Sequence, residues 1–206
     1  NADWLAMSEQ SSAYFGWGVD GVGDVNNDGY ADLAVGAYAY DNPETNEGKV
    51  FVWYGSASGL GANGTPANAD WSSETNIAGD FLGLALKPAG DVNADGYADL
   101  LATAYGFDPP DGVGGTIAGA GAWFVWNGGP AGLDQNGTPG NADLLGYGDQ
   151  TNAYLGRDHC SAGDVNQDGR SDIFVLAPFF SNPEQYEGRA LGYYSRAKNY
   201  LPFIRQ

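Results

Sequence analysis

The feature that most constrains this chain is a threefold internal repeat. Asn1-Ala2-Asp3-Trp4 returns as Asn68-Ala69-Asp70-Trp71 and again, with Leu in the last place, as Asn141-Ala142-Asp143-Leu144. A second block, Gly-Asp-Val-Asn-x-Asp-Gly, stands at residues 23–29, 90–96 and 163–169, displaced by the same 67 and 73 positions. Two motifs in common register divide the chain into units 1–67, 68–140 and 141–206, which we read as one domain. Units of this size bury their apolar faces by stacking on one another. The six extra residues of the second unit fall within residues 107–120, a stretch rich in Gly and Pro that reads as an enlarged loop.

Each unit holds short strand candidates separated by Gly, Asn, Pro and Asp. In the first unit they lie around residues 3–8, 15–22, 31–38 and 49–54. Short strands at fixed spacing, with no helical period of comparable length, predict an all-β fold of repeated four-stranded sheets, and a β-propeller is their natural assembly. The third unit has no counterpart of the Asn-Ala-Asp-Trp strand after residues 188–194, while residues 1–8 are a spare strand of matching sequence. The expectation is therefore three four-stranded blades, the last completed by an N-terminal strand.

Charge sets the classes of partner. The chain has 26 acidic and 8 basic residues, a formal charge of −18 that repels phosphate backbones and anionic lipid and argues against nucleic acid as a partner. Only six of the acids are Glu, and the Asp excess favours loops. No apolar run approaches the ~20 residues that span a bilayer, so no membrane insertion is expected. The first residue is Asn, which leaves open a removed leader or an excised piece of a longer protein. A single cysteine, Cys160, excludes an intrachain disulfide framework.

The strongest chemical signal lies in residues 24–32, repeated at 91–99 and 164–172. Oxygen side chains occupy positions 1, 3, 5 and 9: Asp24, Asn26, Asp28 and Asp32; Asp91, Asn93, Asp95 and Asp99; Asp164, Asn166, Asp168 and Asp172. Gly at position 6 permits a sharp turn, and position 7, Tyr30, Tyr97 or Arg170, offers its backbone carbonyl. Hard oxygen donors select Ca²⁺ over zinc or copper. Position 12 is Val35, Ala102 or Val175, with strand-like sequence around it, so the bidentate Glu and the helix pair of an EF-hand are not expected. Three Asp-rich turns without an ion are the alternative, but three carboxylates within nine residues repel one another unless a divalent cation neutralises them. Three Ca²⁺ per chain would bring the formal charge from −18 to −12.

These loops, with Phe15-Gly16 before the first and Gly36-Ala37-Tyr38 after it, resemble the FG-GAP repeat family, the propeller repeat of integrin α subunits and of some bacterial and fungal lectins. The matching residues are Leu82-Gly83 with Thr103-Ala104-Tyr105, and Leu155-Gly156 with Leu176-Ala177-Pro178, so Leu replaces Phe twice and the Pro of Gly-Ala-Pro survives only as Pro178. The resemblance implies a calcium-binding propeller of about seven blades, whereas this chain carries three. It also implies that the loops between second and third strands, on the face opposite the metal, carry ligand recognition. Residues 38–47, 105–120 and 179–187 are those loops, and Tyr40, Phe107, Phe179 and Phe180 are the aromatics expected there to stack on sugars or grip a protein.

Other residues read as structural. Trp53, Trp126 and Tyr193 share one third-strand position and suit an inter-blade core, as do Phe51, Phe124 and Leu191. His159 and Cys160 align with Val19-Asp20 and Leu86-Lys87, and no third group or oxyanion donor accompanies them, so Arg157 and His159 are expected merely to face the axial channel. Asn63-Gly64-Thr65 and Asn136-Gly137-Thr138 fit both a glycosylation sequon and a tight turn, and the turn explains their equivalent places.

The functional expectation is a non-catalytic calcium-binding module for integrin-like adhesion or ligand recognition, secreted or at the cell surface. A calcium-stabilised lectin is the alternative, and a propeller enzyme the third. Because three blades are below the usual four to eight, a homodimer closing one six-bladed ring is expected, each N-terminal strand completing the partner's last blade.

Overall fold

The structure, a computed structural model, describes residues 2–195; Asn1 and residues 196–206, the ends of the first and third sequence units, lie outside the described residues. Eleven strands form three antiparallel sheets among the described residues. The first blade is β1 (Phe15–Gly23), β2 (Asp32–Ala37), β3 (Lys49–Trp53) and β4 (Trp71–Glu74), paired in chain order. The second is β5 (Leu82–Gly90), β6 (Asp99–Ala104), β7 (Ala122–Trp126) and β8 (Leu144–Tyr147). The third has three strands, β9 (Asp158–Gly163), β10 (Asp172–Ala177) and β11 (Arg189–Tyr193). Register repeats as the sequence does: Val35 faces Phe51, Ala102 faces Phe124 and Val175 faces Leu191.

The inner strands β1, β5 and β9 pack in succession, so the sheets stand as consecutive blades of a propeller-type fold and span an arc, not a closed ring. Sandwiching explains the sequence of the second blade. Every residue of β6 and β7 is buried, and those strands read as continuous apolar runs because both faces are covered. Val52, Leu86, Leu100, Phe124 and Trp126 fill the first junction, and Leu101, Trp123, Val125, Ile173 and Val175 the second. Trp53 and Trp126 are buried as third-strand core, while Tyr193 is half-buried against Trp123.

Among the described residues the third blade has three strands, β9 to β11. One expectation is corrected: the N-terminal segment is not a regular strand, and within its own chain it lies on the first blade through an isolated parallel bridge from Ala6 to Gly64. Trp4 there donates its indole N–H to the Ala62 carbonyl at 2.7 Å, as Trp71 of β4 donates to Gln135 at 2.8 Å on the second blade. The segment thus takes, on the first blade, the place that β4 takes on the second. The Asn-Gly turns at Gly64 and Gly137 receive these contacts.

Candidate metal loops and recognition face

The three aspartate loops join the first strand of each blade to its second and share one bonding pattern. In the first, Asp28 N–H donates to Asp24 Oδ1 and Asn26 Oδ1, both at 3.0 Å, Gly29 N–H to Asp24 Oδ2 at 2.7 Å, and Tyr30 N–H to Asp28 Oδ1 at 3.0 Å. The same four bonds recur on Asp91, Asn93 and Asp95 and on Asp164, Asn166 and Asp168. Side-chain oxygens of positions 1 and 3 therefore converge on one backbone N–H in every loop.

Position 9 has a different task. Asp32 accepts from Val25 N–H through Oδ2 and from Gly55 N–H through Oδ1, both at 2.8 Å, tying the loop to the end of β3. Asp99 does the same for Val92 and Gly128, and Asp172 for Val165 and Ser195. All three are buried. Burial, reinforced by the carboxylates of Asp24 and Asp28, pushes Asp32 up against the pull of its two N–H donors, and burial with Asp95 and Asp91 pushes Asp99 up to about 7. Expected as cation ligands, these three side chains also clamp the backbone, each oxygen accepting one N–H as both Asp24 oxygens do and keeping a further lone pair.

Among the described residues no group of three or more His, Cys, Asp or Glu side chains is arranged as a metal site. The donor chemistry nevertheless suits a hard cation: each loop offers three carboxylates and an amide oxygen, and a carboxylate oxygen that accepts one N–H keeps a further lone pair. Crowded carboxylates beside a buried, upshifted Asp are also what a divalent charge would relieve.

At the opposite end of the blades, where Phe15 pairs with Ala37, eight aromatic rings run without a break across all three blades. Tyr14 stacks on Tyr38 at 5.1 Å, Trp17 meets Tyr38 at 5.4 Å, and Tyr38 reaches Phe81 at 6.3 Å. Phe81 stacks on Tyr105 at 5.1 Å, Tyr105 meets Tyr154 at 5.9 Å, Tyr154 meets Phe179 at 5.7 Å, and Phe179 meets Tyr186 at 5.8 Å. Trp17 is 64% exposed and Tyr186 61%. Arg157 lies over Tyr105 at 4.9 Å, and with Trp17, Lys87 and Asp158 it lines an axial cavity of about 310 Å³.

Of the aromatics expected on this face, Phe179 is there. Phe107 is buried against Phe124 and Tyr147, and Phe180 is buried under the Arg189 guanidinium, so neither ring is a surface contact. Tyr40 is half-buried on Phe51. Each holds the same place in the repeat, where a turn after the second strand folds the chain back, with Tyr40 N–H donating to the Ala37 carbonyl, Phe107 N–H to Ala104 and Phe180 N–H to Ala177. Tyr14, Phe81 and Tyr154, not among the expected recognition aromatics, recur in register; all three hold left-handed backbone (φ 52°, 58° and 51°), a conformation bulky residues rarely adopt.

His159 is buried and does not face the axial channel as expected; burial holds its imidazole down at about 4, neutral at pH 7, against the opposing pull of Asp158. Cys160 is a free, exposed thiol. No helix among the described residues is long and apolar enough to cross a membrane.

Comparison with known proteins places these features. A family model described as FG-GAP repeat matches residues 15–53, from β1 through the first aspartate loop to the end of β3. Integrin alpha-PS2 of Drosophila melanogaster is 35% identical over 128 residues, 60% of this chain and 8% of that protein. Integrin alpha-IIb of Mus musculus is 35% identical over 102 residues (50% and 9%), and integrin alpha-V of Gallus gallus 36% over 99 residues (47% and 9%). The matched region is thus a small part of these relatives. Residues 15–53 match the FG-GAP repeat, and the chain is similar in sequence to integrin α subunits.

Proposed function

We propose that this chain is a non-catalytic, calcium-stabilised module of integrin-like adhesion type that recognises a protein or glycan ligand outside the cell. The observation that carries the reading is the division of labour between the two ends of the blades. One end repeats three loops of identical bonding and oxygen-only side-chain donors at positions 1, 3, 5 and 9. The other presents one continuous aromatic row that ignores blade boundaries. Flat rings with exposed faces bind by area and stacking, and recognition is commonly carried by loops on a rigid frame. Asp24, Asn26, Asp28 and Asp32, with their counterparts in the other two loops, would hold one Ca²⁺ per loop, joined by the carbonyls of Tyr30, Tyr97 and Arg170. Loops without a bidentate Glu suit the calcium levels found outside cells.

Calorimetry on the chelated chain should count three Ca²⁺, one fewer for each of Asp24→Ala, Asp91→Ala and Asp164→Ala. In the loaded protein, Trp17→Ala with Tyr186→Ala should abolish binding to whichever glycans or immobilised matrix proteins the wild type captures on an array, with calcium affinity unchanged. Retained capture would remove the aromatic row from the reading.

The second part of the reading is assembly with another copy. The positions that bury Ala34 and Leu101 against the following blade carry Phe174, half-buried, in the third, and Leu176 is 38% exposed where Thr103 is buried. A second copy covering this face would give light scattering about twice 21.5 kDa; the mass of a single chain would refute it.

A further inference from the structure

The two blade junctions share a backbone hydrogen bond but carry different residues around it. At the second junction Leu155 N–H donates to the Ala120 carbonyl at 2.8 Å, and Ala120 and Ala153 are both buried. At the first, the equivalent bond runs from Leu82 N–H to the Glu47 carbonyl at 2.9 Å, and the places of the two alanines are taken by Glu47 and Asp80, 0% and 2% exposed. Two methyl groups have become two buried acids.

Those acids are under-bonded. Glu47 Oε2 accepts from Asn76 N–H at 3.1 Å, but Glu47 Oε1 and Asp80 Oδ2 have no hydrogen-bond partner. The groups that face them are mostly negative. Glu74 and Glu44 act on Glu47 against the backbone N–H groups of Asn42 and Asn76, Asp108 and Glu47 act on Asp80, and the neutral Thr75 hydroxyl bonds to Asp80. The nearby cation, Lys49, is engaged with Glu74 at 2.6 Å. Two buried carboxylates facing further anions cannot both stay ionised at small cost, and a proton is the simplest relief.

We propose that Glu47 and Asp80 form a proton-binding pair, holding at least one proton at neutral pH and making the packing of the first blade on the second sensitive to pH. Burial first, then the surrounding carboxylates, raises each acid to about 7. Since both values in the folded chain exceed the ordinary carboxylate range, the junction keeps its full strength below about pH 4 and loses it as pH rises through about 7. The pair lies beneath the aromatic row, Asp80 next to Phe81 and Glu47 at the end of loop 38–47, but the proposal rests on burial and bonding at the junction and not on the recognition role.

The test is the melting temperature of the full chain in constant excess Ca²⁺, from about pH 5 to about pH 8.5, for the wild type and for Glu47→Ala with Asp80→Ala, the arrangement of the second junction. The wild type should lose roughly 5 °C more across this range than the double variant, which should be the more stable at the alkaline end. Parallel curves would overturn the proposal. Infrared spectra near neutrality guard against a variant that fails to fold. The carbonyl stretch of a protonated carboxylic acid should be present in calcium-loaded wild type and diminished in Glu47→Gln and in Asp80→Asn. Its absence from the wild type, or its appearance only after chelation, would show that no proton, or a cation in its place, occupies the pair.

Discussion

Asp99→Ala should lower the unfolding free energy by about 3 to 5 kcal/mol, an unusually large loss for removing one loop side chain. Asp99 is fully buried and holds the N–H groups of Val92 at 2.7 Å and Gly128 at 2.9 Å, one within the aspartate loop and one beyond the end of β7. Alanine leaves both donors without an acceptor where water does not reach, and each orphan costs about 1 to 3 kcal/mol. A cavity adds to this. The opposing effect is relief of a carboxylate that burial has already raised to about 7, which near neutrality recovers only part of the loss. Asp172→Ala should show the same direction through Val165 and Ser195. Urea unfolding at fixed calcium measures both, and a change below about 1 kcal/mol would mean that the turn closes without its clamp.

This clamp marks the boundary of what the sequence discloses. Positions 1, 3, 5 and 9 of the loop are equally legible as oxygen carriers, and the sequence alone cannot separate those that bond within the loop from the one that also ties it to the end of the third strand. The difference depends on Gly55, Gly128 and Ser195, which lie 23, 29 and 23 residues further on. The repeat, the strand order within each blade and the third-strand aromatic core were legible because each follows from local period and register. The burial of Phe107 and Phe180, and the seating of Trp4 against Ala62, were not, since they are settled by which sheet face meets the next blade. Glu47 and Asp80 are the extreme case. They are 33 residues apart in the chain and unremarkable in composition, and they acquire meaning only when the first junction is set beside Ala120 and Ala153 in the second.

Gly121→Ala should cost about 4 to 5 kcal/mol, and Gly188→Ala only about 1 to 2 kcal/mol, although the two glycines are equivalent in the repeat. Both hold left-handed backbone, φ +85° and +76°, and both donate their N–H into the same turn, Gly121 to Phe107 at 2.9 Å and Gly188 to Phe180 at 3.0 Å. The conformational part of the substitution is therefore common to them. What differs is the neighbour. A Cβ on Gly121 would overlap the Leu155 carbonyl and stand 2.6 Å from the Leu155 nitrogen, so the third blade must move and the Leu155 to Ala120 bond with it. A Cβ on Gly188 meets nothing closer than the Pro178 carbonyl at 3.3 Å, because among the described residues nothing packs beyond it. Gly48, whose Cβ would overlap the Leu82 backbone, should behave as Gly121 does. Urea unfolding of the three variants then reads the blade contact as the difference between Gly121 and Gly188. Equal losses at all three would show that the junction yields without cost and that backbone conformation alone keeps these glycines in place.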